Sequence, residues 1–355
     1  MKRFLKILKW ILTVFIVVIL LFFTIRVVIR EKIRYDHRIV TENGIDEFVV
    51  TNIGGIEQCL YIRGNDRSNP IILFLHGGPG SPMTPFIYKY QDELENNHVV
   101  VNWDQRNSGK TYILNEGQGA TENITVDILV EDVKEIVTYL SERFNRDNVV
   151  IMGHSWGTVL GTLFVQKYPE LVSSYISVGP VVQAVAGDRL SYETTLQAAS
   201  NAGNIKDYET LSNLTGYLIN DDAFSFDSFS KFRSLSNKYL SAGRKDKSVI
   251  YALFSPYYNI NDLRYYLINT YILHKPLMDY LANEFDVRNL TTEYKVPVYY
   301  ILGEDDWVTP SIMAQDYFKS INAPDKKLIM IKDAGHIMMI DNTKDFCDAV
   351  LSVLK

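Results

Sequence analysis

Small residues are missing from the start of the chain. There is no Gly before Gly44, no Cys before Cys59, no Ser before Ser68 and no Ala before Ala120. A cleaved secretory leader needs small residues at its cleavage site, and a lipoprotein-type site needs a cysteine. Neither processing site is present. Cysteine is scarce throughout: Cys59 and Cys347 are the only two in 355 residues. They leave the redox compartment undecided and are expected to be small buried residues. A chain this long builds a sizeable core without disulfides or metal. Positive charge is also in short supply beyond residue 40, where 27 Lys/Arg face 40 Asp/Glu, a balance of −13. So acidic a body repels phosphate backbones, which excludes a nucleic-acid partner. Internal repeats and low-complexity segments are absent as well.

One stretch lacks charge altogether. Trp10–Ile25 is sixteen residues without an ionisable group, flanked by Lys2, Arg3, Lys6 and Lys9 before it and Arg26 and Arg30 after it. Residues 1–40 carry nine Lys/Arg and two Asp/Glu, a balance of +7. The span is short for a bilayer, but Lys9 and Arg26 are expected to snorkel and extend it. The expectation is an uncleaved single-pass anchor in the cell membrane, covering residues 1–38 with its flanks. The flanks nearly balance, four Lys/Arg before the span against Arg26, Arg30, Lys32, Arg34 and Arg38 after it, so the positive-inside rule does not fix the orientation; a short tail inside with an extracytoplasmic body is the weak preference.

From about residue 45 strand and helix patterns alternate. Glu47–Asn52 and Gln58–Arg63 form a predicted opening hairpin around Gly54-Gly55. Pro70–Leu75, Val99–Trp103 and Asn148–Met152 are apolar runs suited to strands buried on both faces. Val126–Phe144 has helical periodicity with Thr125 as N-cap, and Thr158–Tyr168 is a second predicted helix. Strands are predicted at Val172–Val178, Pro297–Leu302 and Lys327–Ile331. Helices are expected at Pro310–Ile321, with Thr309 as cap and Pro310 at its first position, and at Lys344–Leu354. Such a succession predicts an α/β fold, a mostly parallel open sheet with helices on both faces.

Residues 181–294 break the alternation. They hold eighteen of the 44 aromatic residues and no Trp. A mostly helical cap is expected there, inserted between a first core part at 39–180 and a second at 295–355. Most of its aromatics are expected to form the cap's own core, with a minority lining an interdomain cleft.

Gly153-His154-Ser155-Trp156-Gly157 lies between a predicted strand and a predicted helix. A Gly-x-Ser-x-Gly turn in that context presents its serine at the C-terminal end of a sheet. Ser155 is thus the candidate nucleophile. It needs a general base, and the base an orienting acid. His336, in Ala334-Gly335-His336 just past the last strand, is the candidate base. Glu304, Asp305 and Asp306 follow the strand at 297–302. The spacing of an acid four residues before Pro310 selects Asp306, with Asp305 as the alternative. Oxyanion donors are expected from the backbone N–H of Trp156 and, in His76-Gly77-Gly78-Pro79-Gly80, from Gly78. His76 is expected to act as a structural hydrogen-bonding group.

In order and spacing, HGGPG, WDQRNSGK at Trp103–Lys110, GHSWG, GEDDWVTP and the final GH resemble the prolyl aminopeptidase (proline iminopeptidase) branch of the α/β-hydrolase superfamily. The resemblance covers residues from about 45 to 355. It implies an α/β-hydrolase fold, the triad Ser155, Asp306 and His336, and the oxyanion donors Gly78 and Trp156. It also implies a structural role for Asp104 and Arg106 beside the site, and no metal or organic cofactor. The implied substrate is a small peptide with a free amine, or, in an esterase reading, a small acyl ester. Two departures stand out. Asn107 replaces the usual Gly after the arginine, which left-handed backbone tolerates in Asn. The cap lacks the tryptophan-containing motifs whose glutamates hold the amine in that branch. Glu193, Glu209 and Glu284 are not distinguished from solvated helix carboxylates, so proline specificity is not implied.

Overall fold

The protein is described by a computed structural model covering residues 2–117, 124–214, 216, 218–219, 224–241, 243–268 and 270–354. Among these, eight strands form one sheet: β1 (Ile45–Ile53), β2 (Ile56–Gly64), β3 (Ile71–Leu75), β4 (Val99–Asp104), β5 (Val149–His154), β6 (Val172–Val178), β7 (Val298–Gly303) and β8 (Lys326–Ile331). Their order is β1-β2-β4-β3-β5-β6-β7-β8. β1 and β2 form the expected hairpin and β2 pairs antiparallel with β4; the other pairs are parallel. The apolar runs are the central strands, and every residue of β3, β4 and β5 is buried. Both faces of these strands are covered, so their sequences show no polar alternation.

The helices are α1 (Lys2–Asp36), α2 (Asp92–Glu95), α3 (Gly109–Asn115), α4 (Val126–Phe144), α5 (Trp156–Lys167), α6 (Ala184–Asn201), α7 (Ile205–Ser212), α8 (Phe226–Leu240), α9 (Ser248–Phe254), α10 (Thr270–Leu273), α11 (Lys275–Asn283), α12 (Ser311–Ser320), α13 (Met338–Asp341) and α14 (Thr343–Val353). Helix α4 starts as predicted: the Thr125 hydroxyl accepts from the Ile128 N–H. Helix α12 does not. It begins at Ser311 without a side-chain cap, because the Thr309 hydroxyl is engaged elsewhere.

Between β6 and β7 lie α6–α11. A small core joins α6, α7 and α8 through Tyr192, Ala199, Leu211, Leu214, Leu218 and Phe232. The rest of this segment packs differently from the sequence expectation. Ala252 and Tyr257 belong to the core on one face of the sheet, and Leu277, Leu281, Phe285 and Tyr294 to the core on the other. Many of its aromatics therefore serve the main body rather than a core of the segment's own.

Helix α1 is long and apolar enough to cross a membrane, and its residues 10–25 are all exposed. The snorkelling expected of Arg26 does not occur. Arg26 is buried and donates to the carbonyls of Leu253 (2.9 Å) and Tyr258 (3.2 Å). One turn later Arg30 donates to Ser255 O (2.8 Å) and Pro256 O (3.1 Å). The end of α1 that follows Ile25 is thereby tied to the globular body.

Candidate active site

The strand-to-helix turn at Ser155 is built by size exclusion. A Cβ on Gly157 would lie 2.0 Å from Leu75 O, and one on Gly153 would lie 2.4 Å from Gly157 O. Only glycine allows β5 to turn into α5 this tightly. Ser155 takes φ 53°, rare for a side-chain-bearing residue. Its N–H donates to Val178 O at the end of β6 (3.0 Å), and Trp156 opens α5.

Asp306 and His336 lie at the ends of β7 and β8. The His336 Nδ1–H donates to Asp306 Oδ2 at 2.8 Å. The other carboxylate oxygen accepts from the N–H groups of Val308 (2.9 Å) and Thr309 (3.0 Å). Burial alone would raise the Asp306 pKa. The neighbouring His336 and these hydrogen bonds outweigh it and hold the carboxyl below its ordinary range. The Thr309 hydroxyl lies 3.0 Å from both Asp306 Oδ2 and Gly179 O. Asp305 points elsewhere, pairing with Arg244 at 3.0 Å. The geometry thus separates the two carboxylates that sequence spacing ranked without resolving.

The residue before Ser155 touches the loop that carries His336. The His154 Nε2–H donates to His336 O (2.8 Å), and the two rings sit 4.8 Å apart. Burial lowers His154 to about 3, so its ring is neutral. On the other side runs the glycine loop: a Cβ on Gly77 would lie 3.0 Å from Ser155 Cβ. Gly78 follows at φ 113°. His76 is buried and donates from Nδ1 to Gly77 O (2.8 Å). Its Nε2 accepts from the Gln105 N–H (3.2 Å). The structural expectation for His76 is met, and burial holds its pKa down at about 3.

Gln105 is a residue that sequence reasoning passed over. Its side chain donates to His76 O (3.0 Å) and accepts from the Trp156 indole (3.2 Å), linking the glycine loop to the serine turn. Its place inside the WDQR run was the available signal. The neighbours hold this loop in place. Arg106 forms a buried bidentate pair with Asp132, at 2.5 and 2.9 Å. Asp104 accepts from Thr84 Oγ1 (2.6 Å), Tyr258 OH (2.8 Å) and Lys110 N–H (2.9 Å). Asn107 adopts φ 59°, the conformation anticipated for it.

A cleft of about 720 Å³ opens beside His336, with Met83, Phe86, Leu240, Arg244 and Trp307 among its walls. Arg244 also approaches Asp341 at 3.6 Å. No sequence pattern pointed to Arg244. Among the described residues no group of His, Cys, Asp and Glu is arranged to hold a metal ion. Both cysteines are free and buried, with thiols pushed up to about 12 by burial.

Comparison with known proteins follows the same lines. The probable aminopeptidase YbaC of Bacillus subtilis is 26% identical over 305 residues, 84% of this chain and 93% of that protein. The proline iminopeptidase-related protein of Thermus thermophilus superposes with a TM-score of 0.52 at 22% identity, covering 87% of this chain and 97% of that one. A bacterial membrane phospholipase A superposes with a TM-score of 0.62 at 15% identity, covering 100% of this chain and 98% of that one. At these identities the two structures share the fold. The family model for the alpha/beta hydrolase fold matches residues 70–343, and the chain belongs to that family.

Proposed function

We propose that the protein is a membrane-anchored serine hydrolase acting by acyl transfer. Ser155 attacks a carbonyl carbon as His336 takes its proton. Asp306 holds the imidazole in the tautomer that leaves Nε2 free to accept, and stabilises the imidazolium that forms. The N–H groups of Gly78 and Trp156 receive the developing oxyanion. His336 then protonates the leaving group, and water resolves the acyl-enzyme by the same route. The observation that carries this reading is the His336–Asp306 hydrogen bond beside a serine held at positive φ between strand and helix.

Residues 181–294 act as the cap over the cleft. The leading subtype is an aminopeptidase removing the N-terminal residue of small peptides, supported by the likeness to the Bacillus protein over 84% of this chain. A carboxylesterase is the second reading, favoured by apolar cleft walls such as Met83, Phe86 and Leu240. No metal or organic cofactor enters either route. Helix α1 is the anchor. In this reading the short tail before the span lies inside and the body outside.

A fluorophosphonate probe tests the chemistry. Full-length protein should label at Ser155 and Ser155→Ala should not; equal labelling of both overturns the proposal. Aminoacyl arylamides with and without N-acetylation, set against short-chain aryl esters, test the subtype. Turnover indifferent to blocking the amine, with faster ester cleavage, selects the esterase.

A further inference from the structure

Helix α1 meets the body at Arg26, although Val27 and Val28 beyond it are still 53% and 62% exposed. Trp10–Ile25 is exposed throughout, and the next residue, Arg26, is buried against the body. The uncharged stretch is about 24 Å long, against a hydrocarbon core of about 30 Å. A span that short draws the body against the headgroup layer. The part of the body drawn in is the one Arg26 and Arg30 grip: the C-terminal end of α9 and the turn after it. Helix α9 has seven residues and is only about 10 Å long, so all of it stays close to that level.

The surface found there differs from the rest of the body. Beyond residue 40 the chain carries a balance of −13. Yet Arg244-Lys245-Asp246-Lys247 leads into α9 with three cations and one anion, and Lys245 and Lys247 are exposed. The next turn presents Val249 and Ile250, 66% and 56% exposed. Cations beside bare aliphatic side chains suit an anionic lipid surface. The same segment borders the cleft, since Lys247, Ser248 and Tyr251 line it together with His336.

We infer that Lys245, Lys247, Val249 and Ile250 form a lipid-contacting surface on anionic headgroups, across which the cleft takes a bilayer-borne amphiphile as substrate. The inference rests on the proposed readings of α1 as an anchor and of the cleft as the hydrolase site. It adds a substrate class: an acyl ester or aminoacyl amide carrying an apolar tail. The carbonyl enters past α9 while the tail remains in the lipid.

Two measurements on full-length protein in vesicles test it, one of them independent of activity. Because Cys59 and Cys347 are buried, a single added cysteine labels selectively. A dye on Ile250→Cys should be quenched by lipids spin-labelled near the headgroup. A dye on Ile312→Cys should not: α12 packs on the opposite face of the sheet from α9, and Ile312 is exposed there. Equal quenching at the two positions overturns the surface. The second measurement compares short-chain and long-chain versions of whichever ester or arylamide is cleaved. In phosphatidylglycerol vesicles, Val249→Ser with Ile250→Ser should cut long-chain turnover about tenfold and leave short-chain turnover unchanged. Lys245→Gln with Lys247→Gln should remove the advantage of phosphatidylglycerol over phosphatidylcholine. Equal loss on both chain lengths, or no loss on either, overturns the substrate class. Failure of the hydrolase reading itself shows separately, as absent fluorophosphonate labelling at Ser155.

Discussion

Gln105 and His76 are joined twice. The Gln105 backbone N–H donates to His76 Nε2 at 3.2 Å, and its side-chain amide donates to His76 O at 3.0 Å. The same side chain accepts from the Trp156 indole. One residue therefore fixes the spacing between the loop bearing Gly78 and the turn bearing Trp156. Gln105→Leu is expected to lower kcat roughly 10- to 100-fold with little change in KM, since displaced donors lose transition-state stabilisation. The rate of fluorophosphonate labelling should fall in parallel. A purely structural role would lower thermal stability and leave the per-molecule labelling rate intact.

The two adjacent aspartates should separate cleanly. Asp306 bonds His336, whereas Asp305 pairs with Arg244. Asp306→Asn is expected to reduce kcat by about 10⁴-fold, the cost of imposing the wrong imidazole tautomer. Asp305→Asn should stay within about tenfold of the parent, being outside the proton path. Steady-state kinetics on one aryl ester reads both.

Two of the buried histidines predict an unusual acid limit. His154 and His76 are held at about 3, below the ordinary 6.5, by burial. Between those values the unfolded chain binds their protons more readily than the native one. Stability is thus complete above about pH 6.5 and falls as pH drops toward 3, by up to roughly 1.4 kcal/mol per pH unit for each ring. Urea midpoints measured from neutral pH down to pH ~5 should show the decline above the carboxylate range. His154→Gln, which cannot titrate, should make it shallower.

The grip of Arg26 and Arg30 on the body is measurable in detergent. Charge-assisted hydrogen bonds contribute about 1.5–3 kcal/mol each. Arg26→Ala with Arg30→Ala should lower the thermal midpoint by roughly 5–10 °C. An unchanged midpoint would mean that α1 is a loose tether.

What sequence made legible was whatever depends on local pattern. The central strands announce themselves because burial on both faces leaves uninterrupted apolar runs. Ser155 and His336 follow from strand ends, and Asn107 from backbone tolerance. Long-range side-chain bonds left no such trace. The Thr309–Pro310 pair looked like a helix start, but the Thr309 hydroxyl goes to Asp306 and Gly179, contacts that depend on the ends of β6 and β7 meeting. Arg26 looked like a snorkelling flank because nothing local distinguishes a lipid headgroup from a distant carbonyl. Most aromatics of 181–294 read as a core of their own, since composition cannot say which side of a segment faces the body.

The attachment of α1 has an asymmetric record in the gene. Arg26 and Arg30 bind four carbonyl oxygens, belonging to Leu253, Ser255, Pro256 and Tyr258. Every residue type carries that oxygen, so most codons at those four positions can drift without touching the bond. Only the arginine side is spelled out in side chains. Searches for correlated substitutions would pass over this contact, while replacing either arginine would reveal it at once.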